Sequence, residues 1–197
     1  MAGLNLNSNG LKSGKFNLHK NALGATQFAI LKSTISSGEF PWFFQRDTTY
    51  GTGVSFDSSY HGFRHCLIKD NQKNSDSTEL FVPVAWTVCD LLGGVLHEIY
   101  SMHLNLIENY NIETPPRPHT DRQLYEPNID KMYTAILYFD QVDGNTVFYA
   151  DDGETIIYEQ TPIENAMIIF PAKTWHSGSN PLIAPFRRVL NINITLR

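Results

Sequence analysis

Pro118-His119-Thr120-Asp121 is the fragment of this sequence in which residue type and spacing most directly permit chemistry. In an extended chain, residues i and i+2 point to the same side, so His119 and Asp121 can converge on one ion from a single strand end. A third ligand of suitable type, His176, follows the apolar run Met167–Phe170 and the turn Pro171-Ala-Lys-Thr-Trp175. Two imidazoles and one carboxylate on one face of a six-coordinate divalent metal leave three positions open, a ligand set suited to Fe(II) and dioxygen chemistry. A His-x-Asp pair alone is a weak signal in a chain with 7 histidines. The plain alternatives are a surface histidine after a proline-rich turn and a polar loop histidine at 176. Order, spacing and the strands between them raise the triad above those alternatives.

The elements that must position these residues are short. From Ser101 the apolar pattern has a period of two, with His103, Asn105 and Ile107 on one face and Met102, Leu104 and Leu106 on the other. A proline-rich turn, Thr114–Pro118, leads into the His-x-Asp pair. Strands are then predicted over Met132–Phe139, Thr146–Tyr149, Thr155–Glu159, Ala166–Phe170 and Arg187–Leu196, separated by Asp-Gly, Asn and Pro turn signals. Upstream, the spacing predicts a helix over 20–36 that stops at Gly38, then an extended aromatic segment at Phe40–Phe44. A strand at Phe63–Ile68 and an exposed loop at Asn71–Thr78 follow. Pro83 suits the first turn of a second helix, and Val84, Val88, Leu91, Leu92, Val95, Leu96 and Ile99 recur at helical spacing, although Gly93-Gly94 weakens that pattern. Helices followed by many short strands indicate a mainly β, α+β chain: a sandwich or barrel backed by helices. One domain is expected over 1–197, with 1–100 as a helical and loop support and 101–197 as the β core.

Composition excludes several function classes. The chain has 197 residues, 42% hydrophobic and 18% charged, which is globular rather than disordered. Its formal charge of −5, with no basic run beyond Arg187-Arg188, argues against a nucleic-acid surface. The 2 cysteines form no CxxC pair, which fits a reducing compartment. Met1–Gly10 has no apolar core of a signal peptide, and the longest apolar stretch, Leu80–Ile99, is broken by Asp90, His97 and Glu98. The expected location is cytoplasmic, with no membrane partner. Asn193-Ile-Thr195 has a glycosylation pattern but falls in an expected strand and is set aside.

Five fragments in order carry a family resemblance: His119-Thr-Asp121, Tyr133-Thr-Ala-Ile-Leu-Tyr-Phe139, Gly144-Asn-Thr-Val-Phe148, Trp175-His176 and Arg187-Arg188. Together, residues 101–197 resemble the 2-oxoglutarate/Fe(II)-dependent dioxygenase superfamily, in its prolyl-4-hydroxylase-like branch. The first hundred residues match only loosely. The resemblance implies a double-stranded β-helix, or jelly roll, packed against N-terminal helices. It implies Fe(II) held by His119, Asp121 and His176, and 2-oxoglutarate as cosubstrate with ascorbate as a supporting reductant. It also implies a basic residue on the last strand that grips the distal carboxylate of 2-oxoglutarate, for which a guanidinium is suited by its two parallel hydrogen bonds. Arg187 shares a face with Asn191, the place where similar proteins carry a polar or small residue pointing into the pocket. Arg187 is therefore preferred, and Arg188 remains the alternative, the other one being a solvated surface arginine. The resemblance gives Tyr138 as a second donor to that carboxylate, beside its plain reading as core, and Asn105 as a contact at the C1 end.

The activity so implied is hydroxylation of an unactivated C–H, in a prolyl residue or a small molecule, with release of succinate and CO2. An acid at Asp121, where related halogenases carry a small residue, points to hydroxylation. Trp175 either walls the site or packs beside it. Segments 45–65 and 122–130, with Tyr60, His61, Arg64 and Arg122, are the expected substrate-facing parts. Two other classes fit the same residues: a cupin-type metalloenzyme without 2-oxoglutarate, which needs no buried arginine, and a non-enzymatic jelly-roll binding or virion-associated module, which needs no metal.

Overall fold

The computed structural model describes residues 16–48, 60–113, 116–122 and 127–197. In chain order the elements are β1 (Asn17–His19), α1 (Ala25–Ser36), β2 (Phe43–Gln45), β3 (Gly62–Lys69), β4 (Gln72–Lys73), α2 (Thr78–Leu92), β5 (Leu96–Glu108), β6 (Met132–Tyr138), β7 (Thr146–Tyr149), β8 (Ile156–Gln160), β9 (Met167–Pro171), β10 (His176–Gly178) and β11 (Phe186–Leu196). An 8-stranded sheet runs β1-β9-β6-β11-β5-β3-β2, with β4 paired to β3, and a 3-stranded sheet runs β10-β7-β8. Every recorded pairing is antiparallel.

The period-two pattern sorts each central strand between two cores. On one face of the large sheet, Leu137, Leu190, Ile192, Leu104 and Leu67 pack against Phe28, Leu31 and Ile35 of α1 and Phe81, Val84 and Val88 of α2. On the other face, Ile136, Tyr138, Ile168, Phe170 and Val189 meet Phe148 of the small sheet. Each such side chain contributes about 1.5–3 kcal/mol on burial, so the helices are held by packing. The buried spacing Phe81, Val84, Ala85, Val88, Cys89 is the stripe of an amphipathic helix.

Two sequence-based expectations need correction. The second helix begins at Thr78, before Pro83, and ends at Leu92, because Gly93 adopts the left-handed conformation (φ 67°) that caps it. Leu96 and Ile99 therefore belong to β5, where they pair with Leu196 and Ile194. The N-terminal half is also more than support: β1, β2, β3 and the start of β5 all join the large sheet. Among the described residues, no helix is long and apolar enough to cross a membrane.

Candidate metal centre and cosubstrate pocket

His119 and His176 are brought together by backbone. Each donates its N–H to the other's carbonyl at 2.9 Å, an isolated antiparallel bridge that sets the two ring centroids 4.6 Å apart. His176 is almost fully buried, its ring edge-on to Phe170 at 4.8 Å. Its Nδ1 lies 3.0 Å from the Thr174 carbonyl, and His119 Nδ1 makes a longer 3.5 Å contact with the Arg117 carbonyl. A carbonyl at Nδ1 fixes the proton there and leaves the Nε2 lone pair for a metal. Those Nε2 atoms lie 3.9 Å (His119) and 3.8 Å (His176) from the Asp121 carboxylate. One donor atom from each of the three residues lies within 4.8 Å of the others, so a single ion can reach all of them.

Asp121 is oriented from behind. Its Oδ2 accepts hydrogen bonds from Thr134 Oγ1 (2.7 Å) and Asn193 Nδ2 (2.9 Å), and Asn193 Oδ1 in turn accepts from Ser101. Burial opposes the charge on Asp121, but His176, His119 and these hydrogen bonds outweigh it and hold the carboxyl at about 2. Burial, then the neighbouring His176, pushes the His119 imidazole down to about 4, against the pull of Asp121. An ionised acid beside a neutral imidazole is the form that ligates a divalent cation.

The triad opens onto a cavity of about 470 Å³. Arg187 faces it, is only 3% exposed, and donates from Nη2 to Thr146 Oγ1 at 2.8 Å. The Tyr138 hydroxyl shares a 2.8 Å hydrogen bond with the same Thr146 oxygen. Tyr138 thus reaches Arg187 through Thr146, and burial pushes its hydroxyl up to about 12, which keeps it a proton donor. The Nε of Arg187 is buried with no hydrogen-bond partner among the described residues. Burial lowers the Arg187 guanidinium, with Tyr138 acting against that shift. Gly178 makes room for it, since a Cβ there would lie 3.0 Å from Arg187 Nη1.

Arg188 does not share this role. It points to the opposite face, where Nε and Nη2 grip Asp140 at 3.0 and 2.7 Å and Nη1 donates to Ser36 Oγ at 2.7 Å. It is buried at 7% exposure, so it is neither a cosubstrate ligand nor a solvated surface residue. Asn105 and Asn191 both line the cavity. Asn105 Oδ1 accepts from Arg64 Nε at 3.0 Å, which places Arg64, expected only as a substrate-facing residue, on the cavity wall. Trp175 packs on the turn at Gly153 and is absent from the cavity lining. Tyr60 and His61 border a small adjoining hollow, and the Arg122 guanidinium sits 3.4 Å over the Tyr100 ring. The rest of the expected substrate segments, 49–59 and 123–126, lies outside the described residues, as do Thr114 and Pro115.

Several contributors had no role assigned from sequence, among them Thr134 and Asn193, which hold the Asp121 carboxylate. Thr146 joins Arg187 to Tyr138, and its signal was the threonine of Gly144-Asn-Thr-Val-Phe148. His103 lines the cavity, and burial followed by Arg64 pushes its imidazole down to about 3. Its place on the Asn105 face was visible in the alternation, but its closeness to the metal ligands was not.

Solved structures similar to this chain share most of its length. A 2OG-Fe(II) oxygenase family oxidoreductase from Burkholderia pseudomallei has a TM-score of 0.66 at 14% identity, covering 92% of this chain and 84% of that one. The fold is that of the 2OG-Fe(II) oxygenases. A Pseudomonas putida prolyl-4-hydroxylase shares it with a TM-score of 0.56 at 15% identity over 92% of both chains. HygX from Streptomyces hygroscopicus, solved with nickel, 2-oxoglutarate and hygromycin B bound, has a TM-score of 0.60 at 9% identity, covering 91% of this chain and 82% of that one. No family model matches the sequence, and no curated protein matches it. On this fold, His176 comes from the small sheet, Asp121 is hydrogen-bonded to β6 and β11 of the large sheet, and Arg187 lies on the central strand β11.

Proposed function

We propose that this chain is a non-haem Fe(II)- and 2-oxoglutarate-dependent oxygenase that hydroxylates an unactivated C–H of a small-molecule or peptidyl substrate. The observation that carries this reading is the pairing of His119, Asp121 and His176 with the buried, incompletely bonded guanidinium of Arg187 in one cavity. A buried cation whose N–H groups lack partners is a site for an anion. The donor set fits Fe(II), and the Arg187 cradle fits a carboxylate.

His119, Asp121 and His176 would hold the iron, and Arg187 would grip the distal carboxylate of 2-oxoglutarate. Bound there, the pair supplies the oxidising chemistry, coupling loss of CO2 and formation of succinate to hydroxylation of the substrate. Thr146 and Tyr138 fix the guanidinium, and Thr134 and Asn193 fix the Asp121 carboxylate. Ile136 and Val189 contribute apolar wall to the cavity. A cupin-type enzyme without 2-oxoglutarate has no use for Arg187, and a plain binding module has no use for the triad. The chain's acidic balance and the reducing-compartment cysteines support a cytoplasmic enzyme with no nucleic-acid partner.

The test is an anaerobic titration of metal-stripped protein with Fe(II) and then 2-oxoglutarate, following the weak visible charge-transfer absorption of the chelated cosubstrate. A saturable band, absent in His176→Ala and requiring far more 2-oxoglutarate in Arg187→Ala, is expected. No band and no retained iron would defeat the reading.

A further inference from the structure

Two arginines face the cavity, and the proposed cosubstrate accounts for Arg187 alone. The other is Arg64 on β3. Its Nε donates to Asn105 Oδ1 at 3.0 Å and its Nη2 to the Thr48 carbonyl at 2.9 Å. Both acceptors are neutral, and they use two of the five N–H donors of a guanidinium. Among the described residues, no carboxylate forms an ion pair with Arg64. Arg188 shows how this fold treats a structural buried arginine: it is gripped through two bonds by Asp140. Among the described residues Arg64 has no such counter-charge at contact: Asp121 and Asp47 act on it only from beyond ion-pair distance, and its guanidinium lines the cavity. A partly enclosed cation held at contact only by neutral acceptors is a site that an anion can complete.

That anion is not the cosubstrate. Arg64 pairs across the sheet with Asn105 of β5, which pairs with Val189 of β11. Two strand spacings put β3 about 10 Å from the strand that carries Arg187. With His119, Asp121 and His176 to hold the metal end of 2-oxoglutarate and Arg187 its distal carboxylate, neither end would need Arg64, which is left to a second molecule. A cavity of about 470 Å³ is in the range of small-molecule sites, ~300–1,000 Å³.

We propose that Arg64 binds the carboxylate of the primary substrate, and that this substrate is a small free carboxylic acid, such as an amino acid, rather than the interior of a peptide. The inference rests on the oxygenase reading. Anchored at Arg64, with Asn105 setting the plane of the guanidinium, the substrate lies across β5 from the metal ligands, and the distance from its carboxylate selects which C–H is presented.

The experiment uses the protein loaded with Mn(II), which does not turn over, and saturating 2-oxoglutarate. Amino acids and small aliphatic acids, each beside its own carboxamide, are screened by thermal shift, and hits are titrated by calorimetry. At least one acid is expected to bind saturably, with its amide at least tenfold weaker. Arg64→Gln should weaken that acid at least tenfold without losing the 2-oxoglutarate titration, and Arg64→Lys should recover part of the affinity. If Arg64→Gln does not fold, the acid–amide comparison on the unaltered protein and the Arg64→Lys titration decide the matter. Equal binding of acid and amide, binding of capped peptides only, or no acid bound while 2-oxoglutarate binds would each overturn the inference alone. A selective loss of 2-oxoglutarate in Arg64→Gln would overturn it too, by moving Arg64 into the cosubstrate site. Failure of 2-oxoglutarate to bind the unaltered protein would overturn the oxygenase reading and the inference together.

Discussion

Gly178→Ala tests the anchor through a single methyl group. The new Cβ would stand 3.0 Å from Arg187 Nη1 and 3.6 Å from both Cζ and Nη2. Gly178 is not among the glycines with positive φ, so alanine brings no backbone strain. The guanidinium must then move by a few tenths of an ångström. It is tethered through Nη2 to Thr146, so it pivots rather than slides, and one of its two bonds to the ligand carboxylate is spoiled. Weakening one charge-assisted bond is worth roughly 1–1.5 kcal/mol, a five- to twelve-fold rise in the Kd for 2-oxoglutarate. Gly178→Val should do more. Gly38→Ala, at a position with nothing within 4 Å, is the control. The assay is the anaerobic 2-oxoglutarate titration of the Fe(II) protein, with urea unfolding of each variant alongside. An unchanged Kd in both Ala and Val variants would refute the packing argument. So would a loss of affinity that merely tracks a loss of stability.

Three further outcomes are expected. Asn193→Ala removes a hydrogen bond from the Asp121 carboxylate and should weaken metal binding about 10–100-fold in a competitive chelator titration, with unchanged binding counting against a positioning role. Arg188→Met leaves Asp140 buried with only Lys32, 3.9 Å away, as a cation, so urea unfolding should show a loss of about 3–5 kcal/mol; Arg188→Met with Asp140→Leu should recover much of it. The metal-free protein should lose stability between pH 7.5 and 5. His119 and His103 are depressed from 6.5 to about 4 and about 3, so the unfolded chain takes up protons that the folded chain refuses. Each contributes a loss of about 2 kcal/mol at pH 5. Asp121, held at about 2, adds its own loss only at lower pH. His103→Asn should flatten this dependence, and a pH-independent stability would refute it.

Most strands of the second half were legible because their one-in, one-out alternation is imposed by two cores on a shared sheet, and their boundaries moved by a residue or so; β10, only three residues long, was read as turn. The helix ending was misjudged because Val95, Leu96 and Ile99 continue an apolar spacing that a strand between two cores also satisfies; the glycine pair marked the true stop. β1 gives no sequence signal, since Asn17–His19 becomes a strand only by borrowing β9 as its partner. The metal triad could be read because its ligands sit in motifs. Arg64 was expected only to face the substrate, and its bond to Asn105, like the closeness of His103 to the metal ligands, comes from the packing of β3, β5 and β11 side by side. That Arg187 and not Arg188 faces the cavity follows from Asp140, which grips Arg188 and which no local pattern announces.

Adjacent arginines with opposite tasks also constrain how this chain can change over generations. β11 is bonded on both sides, and a slip of one residue would turn every side chain to the other face. The guanidinium meant for the cavity would then point at α1, and the one meant for Asp140 would enter the pocket. Gains and losses of residues are therefore excluded from this strand, whereas the outer strands, with a neighbour on one side only, are free to vary in length. Descendants of this sequence should differ at their sheet edges and keep the spacing from His176 to Arg187 within narrow bounds.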